Sequence, residues 1–166
     1  MQEINVLDYS EKILKALPGG VFLNTKAGDR KNTMTIGWGA LGRQWNQTCF
    51  TVMVRLSRYT KELIDANPVF TLSVPLKGDF KKAIGICGTK SGRDMDKLAA
   101  CNFAIEDAQT IDSFIIKGCG LHLECEIADS RVMDATLKSQ DVKDAWYKDE
   151  DWHVYYTAIV KKAYLE

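Results

Sequence analysis

The sequence predicts a mainly β protein, built as a closed or nearly closed antiparallel β-barrel with peripheral helices. Strand-like segments recur along the chain with only short helical segments between them, unlike the repeating strand–helix units of a parallel sheet. The 166 residues are 46% hydrophobic and 27% charged, which are ordinary values for a globular protein with its own core. No internal repeat, low-complexity tract or linker divides them, so we expect a single domain over residues 1–166.

The first part of the chain predicts one helix followed by three strands. Apolar residues recur at helical spacing in the first fifteen or so residues, at Tyr9, Ile13, Leu14 and Leu17. This helix should end before Pro18, because proline cannot continue a helix. Strands are then predicted at residues 21–25, 33–41 and 48–55. In the last of these, larger apolar residues occupy every second position, the period that is typical of a strand.

The rest of the chain predicts further short helices and three more strands. A helix at residues 60–66 should stop at Asn67-Pro68, and Asp79 is a good N-cap for a second helix that Gly88 would end. A third, short helix should begin after Asp94 and end at Asn102. Strands are predicted at residues 69–74, 118–128 and 152–164, and the polar residues 134–151 should form a loop with some helix.

Charge and composition exclude several classes of function. The 22 Lys and Arg residues balance the 22 Asp and Glu residues, so there is no basic excess for nucleic-acid binding. No apolar run approaches the ~20 residues of a membrane span, and the amino terminus lacks a secretory signal pattern. We therefore expect a cytoplasmic protein with neither a nucleic acid nor a membrane as its partner.

The five cysteines are predicted to be small buried hydrophobic residues. Their number is odd and no C-x-x-C pair occurs, which argues against a disulfide framework and a thioredoxin-like site. With only two histidines and scattered cysteines, no metal site is expected. His122 lies beside Glu124 and Glu126 on the polar side of a predicted strand, where we expect it to be solvated or paired.

The run Arg55-Leu-Ser-Arg-Tyr-Thr60 is the most informative segment of the chain. It places two guanidiniums and three hydroxyls at a predicted strand-to-helix junction. The first turn of a helix leaves backbone N–H groups unpaired, and its dipole favours negative charge. The run therefore predicts a phosphate site. The alternative is a capped helix with solvated arginines.

Two letter patterns for nucleotide binding fail on their context. Residues 37–42 match G-x-G-x-x-G, but the residues that follow are too few for the required helix and lead into another strand. Residues 85–91 resemble a P-loop, but Thr89 separates Gly88 from Lys90 and breaks the motif. We expect neither a dinucleotide-binding fold nor a nucleoside triphosphatase.

Three segments together, in this order, carry a family resemblance. They are Asn32-x-Met-Thr-x-x-Trp38, the Arg55–Thr60 run, and Ser91-Gly-Arg-Asp-x-Asp-Lys97. The chain resembles the flavin reductase-like family of FMN-binding split barrels, particularly its flavoredoxin-like branch, from Leu17 through the closing strand. The resemblance implies an antiparallel split barrel of the Greek-key type. Proline is common in this branch at the positions of Thr48 and Leu56, so the chain departs from the pattern there.

The resemblance also implies a set of FMN-binding residues. The first segment, which begins at Asn32, would hold the isoalloxazine edge through Thr33, Met34, Thr35 and Trp38. The second would bind the phosphate and ribityl chain through Arg55, Ser57, Arg58, Tyr59 and Thr60. The third would form a loop near the cofactor, at a dimer interface, through Ser91, Gly92, Arg93 and Asp94. Taken alone, the first segment could be a half-buried strand and the third a turn before a capped helix.

The implied function is an FMN-containing oxidoreductase, typically a homodimer, that takes hydride from NAD(P)H. It would reduce free flavin, ferric complexes or another small acceptor, and no catalytic side chain is demanded because the redox step belongs to the cofactor. One alternative is a flavoredoxin-type carrier with tightly bound FMN and a protein redox partner. Another alternative is a barrel that binds no flavin and serves as an interaction module or binds another phosphorylated ligand. His153, among aromatic residues of the closing strand, is expected either near the flavin or in a structural role.

Overall fold

The computed structural model describes residues 1–133 and 137–166. Its strands are β1 (Gln2–Glu3), β2 (Val21–Ala27), β3 (Arg30–Ile36), β4 (Gly39–Gln44), β5 (Gln47–Arg55), β6 (Val69–Pro75), β7 (Ile105–Asp107), β8 (Phe114–Ile116), β9 (Gly120–Val132) and β10 (His153–Leu165). Its α-helices are α1 (Ser10–Ala16), α2 (Tyr59–Ala66), α3 (Lys81–Thr89), α4 (Lys97–Ala100) and α5 (Gln140–Trp146). Short 3-10 helices lie at Val6–Tyr9 and Leu17–Gly19.

The main sheet is antiparallel and runs in the order β3-β2-β6-β9-β10-β5-β4, with β1 paired to β10. Its two edge strands, β3 and β4, are consecutive in the chain and are joined only by Gly37 and Trp38. The three Cα–Cα steps from Ile36 to Gly39 reach at most about 11 Å, so these ends of the two edge strands must lie close together at this corner. The sheet is therefore curled into a split barrel, and the predicted mainly β fold with peripheral helices is confirmed.

The predicted strand at residues 33–41 is wrong in one respect, because it is two strands. The chain leaves β3 at Ile36, turns through Gly37 and Trp38, and enters β4 at Gly39. Gly39 lies directly against the ring of Phe50, where an added Cβ would be only 2.7 Å from Cε1. Alternation of apolar residues continues across this corner, so the sequence pattern alone does not show the break.

Several other boundaries differ from the prediction. The side chain of Asp79 accepts a hydrogen bond from the Lys81 N–H at 3.1 Å, but the N-cap of α3 is Phe80. Gly88 lies inside α3 rather than ending it. The short helix α4 begins only after its N-cap, Asp96. The short strands β1, β7 and β8 were not predicted, because two or three residues carry no periodic signal; residues 134–136 of the predicted 134–151 loop lie outside the described part.

The buried core has two parts. Residues such as Phe50, Phe70 and Leu72 fill the barrel, and a second cluster that includes Phe22, Cys87 and Phe114 lies under α3. Helices α3 and α4 pack on β3, while α2 packs on β2 and β3. This packing brings the N-terminus of α2 and the α3–α4 loop to the same edge strand. Four cysteines are buried as predicted, and Cys101 is half-buried; all five are free.

His122 and Glu124 are fully buried, so the solvated alternative for His122 is wrong and the paired one is right. The His122 Nδ1 lies 3.1 Å from the Ser73 Oγ, and its Nε2 lies 3.4 Å from a carboxylate oxygen of Glu166. Burial lowers the pKa of His122. The strand pattern did not show this burial, because the residues that cover this face come from elsewhere in the chain.

Candidate functional site

Three adjoining cavities lie along β3, the start of α2 and the α3–α4 loop. The aromatic cavity, of about 110 Å³, is lined by Met34, Thr35, Ile36, Gly37, Trp38, Met53, Arg55, Arg58 and His153. The inner cavity, also of about 110 Å³, is lined by Asn32, Met34, Ser57, Arg58, Tyr59, Thr60, Cys87, Gly88, Lys90, Ser91, Gly92, Arg93 and Lys97. The outer cavity, of about 540 Å³, is lined by Asp29, Arg30, Lys31, Asn32, Thr33, Tyr59, Gly92, Arg93, Asp94, Met95, Asp96, Lys97 and Leu98.

Each of the fourteen residues implied by the resemblance lines at least one of these cavities. The aromatic cavity and the inner cavity share Met34 and Arg58, and the inner and outer cavities share Asn32, Tyr59, Gly92, Arg93 and Lys97. The three segments, which are far apart in the sequence, therefore meet in one continuous region. Their assignment to particular parts of a ligand remains a prediction.

Positive charge dominates the inner cavity. Four cationic residues, Arg58, Lys90, Arg93 and Lys97, line it, and no Asp or Glu is among its lining residues in the described part of the chain. Arg93 is neutralised from outside, because its guanidinium pairs with Glu62 and donates to the Ser57 carbonyl oxygen at 3.0 Å. The cavity nevertheless keeps a net positive lining, which suits an anion.

Lys97 is the most unusual group in this cavity. The residue is only 5% exposed, and among the described residues its ammonium makes one long hydrogen bond, 3.4 Å, to the Lys90 carbonyl oxygen. Burial lowers the pKa of Lys97, and the charge of Arg58 acts in the same direction. A buried cation that lacks an acidic partner is costly. A bound anion would remove that cost.

The N-terminus of α2 is open toward the same cavity. Its N-cap is Arg58, whose side chain makes no capping hydrogen bond. Within residues 1–133 and 137–166, no acceptor pairs with the backbone N–H groups of Tyr59 and Thr60. The Thr60 hydroxyl does not cap the helix, because it accepts a hydrogen bond from the Asn32 side chain at 2.9 Å. Unpaired N–H groups at a helix start are suited to a phosphate.

The α3–α4 loop approaches β3 very closely at Gly92. A Cβ at this position would lie 2.2 Å from the Asn32 Oδ1 and 2.9 Å from the Tyr59 Cδ1. Only glycine fits there without movement of its neighbours. Ser91 and Arg93 stabilise the turn, since the Arg93 N–H donates to the Ser91 Oγ at 3.1 Å. Gly92 therefore allows the loop to form one wall of both the inner and the outer cavity.

Arg55 lies away from the inner cavity. Its guanidinium donates to the carbonyl oxygens of Asp151, at 2.7 Å, and Trp146, at 2.9 Å, and lies 5.4 Å from the centre of the Tyr147 ring. Asp151 also binds Ser57, accepting from its Oγ at 2.6 Å and from its N–H at 3.1 Å. Residues 146–151 are thus held against the barrel by Arg55 and Ser57, two residues that the resemblance assigned to phosphate binding.

Trp38 and His153 line the aromatic cavity, and two further aromatic side chains pack against them. Trp38 packs edge-on against Trp146, with ring centres 4.8 Å apart, and its ring centre lies 5.5 Å from that of His153. The Tyr147 hydroxyl is 2.7 Å from the His153 Nδ1. Burial lowers the pKa of His153 to about 4, with the charge of Arg55 contributing, so the ring is neutral at pH 7. Such a wall suits a flat aromatic ligand.

Sequence reasoning gave no role to three residues of this region. Lys97 ended the third segment, but nothing in the sequence showed that its ammonium would be buried. Lys90, which preceded that segment, lines the inner cavity. Asp151 carried no signal, because it meets Ser57 only through a contact that spans 94 positions. His153 was considered near the flavin or structural, and it lines the aromatic cavity.

The fold and these cavities define a split-barrel protein with a cation-lined cavity beside a cavity that Trp38 and His153 line. The sequence model of the flavin reductase-like domain matches residues 14–162. The chain therefore belongs to the flavin reductase-like domain family. No significant match is found among curated protein sequences.

Solved structures agree on the fold. Flavoredoxin from Methanosarcina acetivorans is 24% identical, with 89% of this chain and 68% of that chain covered at a TM-score of 0.69. The FMN-binding domain of a flavin reductase-like enzyme from Shewanella baltica is 16% identical, with 99% and 78% covered and a TM-score of 0.68. An NADH:FAD oxidoreductase from Streptomyces globisporus is 19% identical, with 92% and 81% covered and a TM-score of 0.64. At these identities the likeness shows the fold alone.

The structure shows neither a membrane-spanning helix nor a metal cluster in its described residues. In the described residues, no helix has both the length and the apolar character needed to cross a membrane. The same residues contain no group of three or more His, Cys, Asp or Glu side chains arranged to hold a metal ion.

Proposed function

We propose that this protein is an FMN-binding oxidoreductase that takes hydride from NAD(P)H and reduces free flavin, a ferric complex or another small acceptor. One observation carries the proposal: in the described part of the chain, the inner cavity is lined by four cationic residues and no acid, and one of the four, Lys97, is buried without an acidic partner. An anion of phosphate size meets these demands. Family membership makes the phosphate of a flavin the natural candidate.

In this proposal the inner cavity holds the phosphate and the start of the ribityl chain. Arg58 and Lys97 supply charge, and the N–H groups of Tyr59 and Thr60 donate hydrogen bonds at the start of α2. The Ser91 and Gly92 backbone forms the facing wall. These groups fit the phosphate well, because they are unpaired or weakly paired in the structure. The Ser57 hydroxyl can bind the phosphate only if its hydrogen bond to Asp151 breaks.

The ring of the flavin is assigned to the aromatic cavity, beside β3. Met34 and Arg58 line both cavities, so a ligand whose phosphate lies in one can extend directly into the other. Trp38 and His153 offer flat contact surfaces there, and Trp38 is 38% exposed, so part of the cavity remains open to a donor or acceptor. When bound, the flavin supplies the hydride and electron chemistry. Neutral His153 can donate or accept one hydrogen bond at Nε2.

We further propose that residues 1–166 act as one FMN-binding domain and that the protein works as a homodimer. Members of the resembled family are typically dimeric with the flavin near the interface. Large apolar side chains remain exposed near the aromatic cavity and on α5, including Trp146 at 51% and Val142 at 38%. Sedimentation equilibrium would test the dimer directly, because a monomer at all concentrations would contradict it.

An absorbance spectrum of the purified protein, with and without added FMN, tests the proposed function first. We expect the visible flavin bands to remain with the protein after gel filtration. Colourless protein that retains no added FMN would favour the flavin-free barrel and contradict the proposal. Anaerobic mixing of the flavin-loaded protein with NADH or NADPH then tests the reductase: rapid bleaching supports it, whereas reduction only by a ferredoxin-like protein supports a flavoredoxin-type carrier.

A further inference from the structure

Two of the five cysteines meet beside the inner cavity. Cys87 lies in α3 and is 2% exposed, and Cys101 directly follows α4 and packs against the buried cluster that contains Cys87. Their thiols interact at hydrogen-bonding range. The sulfurs of a disulfide are about 2 Å apart, so these two must still approach each other. The helix α4 can supply that movement, because it has only four residues and follows a loop.

The two thiols differ in their access to solvent. Cys101 is half-buried and lines a fourth cavity, of about 480 Å³, between α3 and residues 100–104. Cys87 is buried and lines the inner cavity. Burial raises the pKa of the Cys87 thiol to about 12, so this thiol stays protonated at neutral pH. Because a buried, protonated thiol is unreactive, Cys101 is the one that a small oxidant attacks first.

The buried ammonium of Lys97 lies beside both thiols. Lys97 is one helical turn before Cys101, whose N–H donates to the Lys97 carbonyl oxygen at 3.0 Å. The charge of Lys97 acts on Cys87, and both cysteines in turn act on Lys97. A neighbouring ammonium favours the thiolate, which is the reactive form of cysteine. The cluster therefore combines two facing thiols with a cation, and the proposed binding of flavin makes no use of the thiols.

We infer that Cys87 and Cys101 form a reversible disulfide that fixes the α3–α4 loop and slows the release of flavin. Six residues that line the inner cavity lie between the two cysteines: Gly88, Lys90, Ser91, Gly92, Arg93 and Lys97. The disulfide would close this segment into a covalent loop. A wall that is already held in place loses less freedom when a ligand binds. The effect on flavin rests on the proposed function, whereas formation of the disulfide does not.

Hydrogen peroxide is the oxidant in this step, and it forms wherever reduced flavin meets dioxygen. The Cys101 sulfur releases its proton and attacks one peroxide oxygen; the O–O bond breaks, and the departing hydroxide takes up a proton to become water. The Cys87 sulfur then attacks the Cys101 sulfenic acid. The S–S bond forms, the S–O bond breaks, and the second hydroxide leaves as water with the Cys87 proton. Two electrons pass from the thiols to the peroxide, and a dithiol reverses the change by exchange.

Thiol analysis of the flavin-free protein tests the disulfide. After treatment with hydrogen peroxide, alkylation of the unfolded chain should label two fewer of the five cysteines than in untreated protein. Trypsin cuts between the two cysteines, so mass spectrometry should find peptide 83–90 joined to peptide 98–117 with the loss of two hydrogen atoms. Cys101→Ser should abolish this product. Cys119→Ala, which removes another thiol of the same buried cluster, is the matched control and should still form it.

The rate of FMN release tests the effect on the loop. Oxidised protein should release FMN about fivefold more slowly than reduced protein, because the wall of the inner cavity is tethered at both ends. A dithiol should restore the faster rate. In Cys101→Ser, peroxide should leave the rate unchanged, while Cys119→Ala should respond as the natural sequence does. Circular dichroism of both variants confirms that each comparison is made on folded protein.

The outcomes separate this inference from the proposed function. FMN binding without the joined peptides, or with other cysteine pairs joined to the same extent, overturns the inference and leaves the proposed function standing. Joined peptides with equal rates of FMN release in the two states overturn the coupling between the disulfide and the flavin. If no flavin binds, the proposed function fails and the coupling fails with it, while the joined peptides still decide whether the disulfide forms.

Discussion

The carboxylate of Asp151 binds both the hydroxyl and the backbone N–H of Ser57, at 2.6 and 3.1 Å. Ser57 immediately precedes the N-cap of α2 and lines the inner cavity. The Asp151 carboxylate therefore occupies the Ser57 hydroxyl, which could otherwise donate to a phosphate in the inner cavity. The contact also fastens residues 146–151 to the barrel, together with the two hydrogen bonds from Arg55.

Asp151→Asn should raise the affinity for FMN by about three- to tenfold. The substitution removes a negative charge that competes with the phosphate for Ser57, while an amide oxygen can still accept from the Ser57 N–H. Riboflavin, which has no phosphate, should bind equally well to both proteins. The matched control is Asp149→Asn, because the Asp149 side chain is 72% exposed and lies 3.7 Å from Arg55, and because the Ser57 N–H and hydroxyl donate to Asp151. Unchanged or weaker FMN binding in Asp151→Asn would show that Asp151 supports the site instead of competing for it.

Lys97→Met should have opposite effects on stability and on binding. Without flavin, the variant should be more stable by about 1 kcal/mol, because a buried and poorly paired charge is replaced by an apolar side chain of similar length. Its affinity for FMN should fall at least about tenfold, because a charge-assisted bond to the phosphate is lost. Denaturant unfolding and FMN titration measure the two effects. Lys81→Met, at an exposed position of α3, controls for the loss of a charge. A destabilised variant with normal FMN affinity would assign Lys97 a purely structural role.

Gly92→Ala should destabilise the fold by about 1–3 kcal/mol and weaken FMN binding. The new Cβ would approach the Asn32 Oδ1 at 2.2 Å, so the α3–α4 loop must move away from β3. Thermal unfolding and FMN titration report the two effects. Gly42→Ala is the control, because no atom of the described residues lies within 4 Å of the corresponding Cβ in β4. Equal behaviour of the two variants would mean that the close approach at Gly92 has no energetic importance.

The free energy of unfolding should fall as the pH is lowered from about 6.5 toward about 4, partly because of His153. Its pKa in the folded protein is about 4, below the ordinary value of 6.5, chiefly because of burial. In this interval the unfolded chain therefore binds a proton that the folded protein does not, and the slope of stability with pH is positive. We expect a contribution of about 1 kcal/mol after allowance for solvent screening.

The variant His153→Gln isolates this contribution. Buried His122 titrates in the same direction, so both proteins should lose stability in acid, but the variant should lose less. Urea unfolding at several pH values between 4 and 7 measures the difference. Parallel curves for the two proteins would contradict the low pKa of His153. Above pH 7 the ring is already neutral, so flavin affinity should not depend on pH through this residue.

Local chemistry in the sequence was enough to find most of this region. The residue types of the Arg55–Thr60 run predicted an anion site, which stays a prediction, and its predicted place at the start of a helix is confirmed because α2 begins at Tyr59. Alternating apolar residues located the long strands to within a few residues. In contrast, the corner at Gly37 and Trp38 lies inside a pattern that continues through it, and its existence follows from closure of the barrel.

The contacts that decide the roles of individual residues could not be predicted in this way. Arg55 and Ser57 are bound by residues that lie more than 90 positions further along the chain. Lys97 is buried on the α3–α4 side of β3, where the loop at Gly92 packs closely against Asn32. Each of these contacts depends on how segments that are distant in the sequence pack together. A local sequence pattern contains no information about that packing. The family resemblance named the candidate binding residues. The structure then distinguishes the two arginines, because Arg55 binds residues 146–151 whereas Arg58 lines the inner cavity.

The central claim is that the inner cavity binds the phosphate of a flavin. The measurement that tests it most directly is a paired titration of the flavin-free protein with FMN and riboflavin, which differ only in that phosphate. We expect FMN to bind at least about a hundredfold more tightly, equivalent to two charge-assisted hydrogen bonds, and the difference to shrink at high salt. Equal affinities for FMN and riboflavin would contradict the claim.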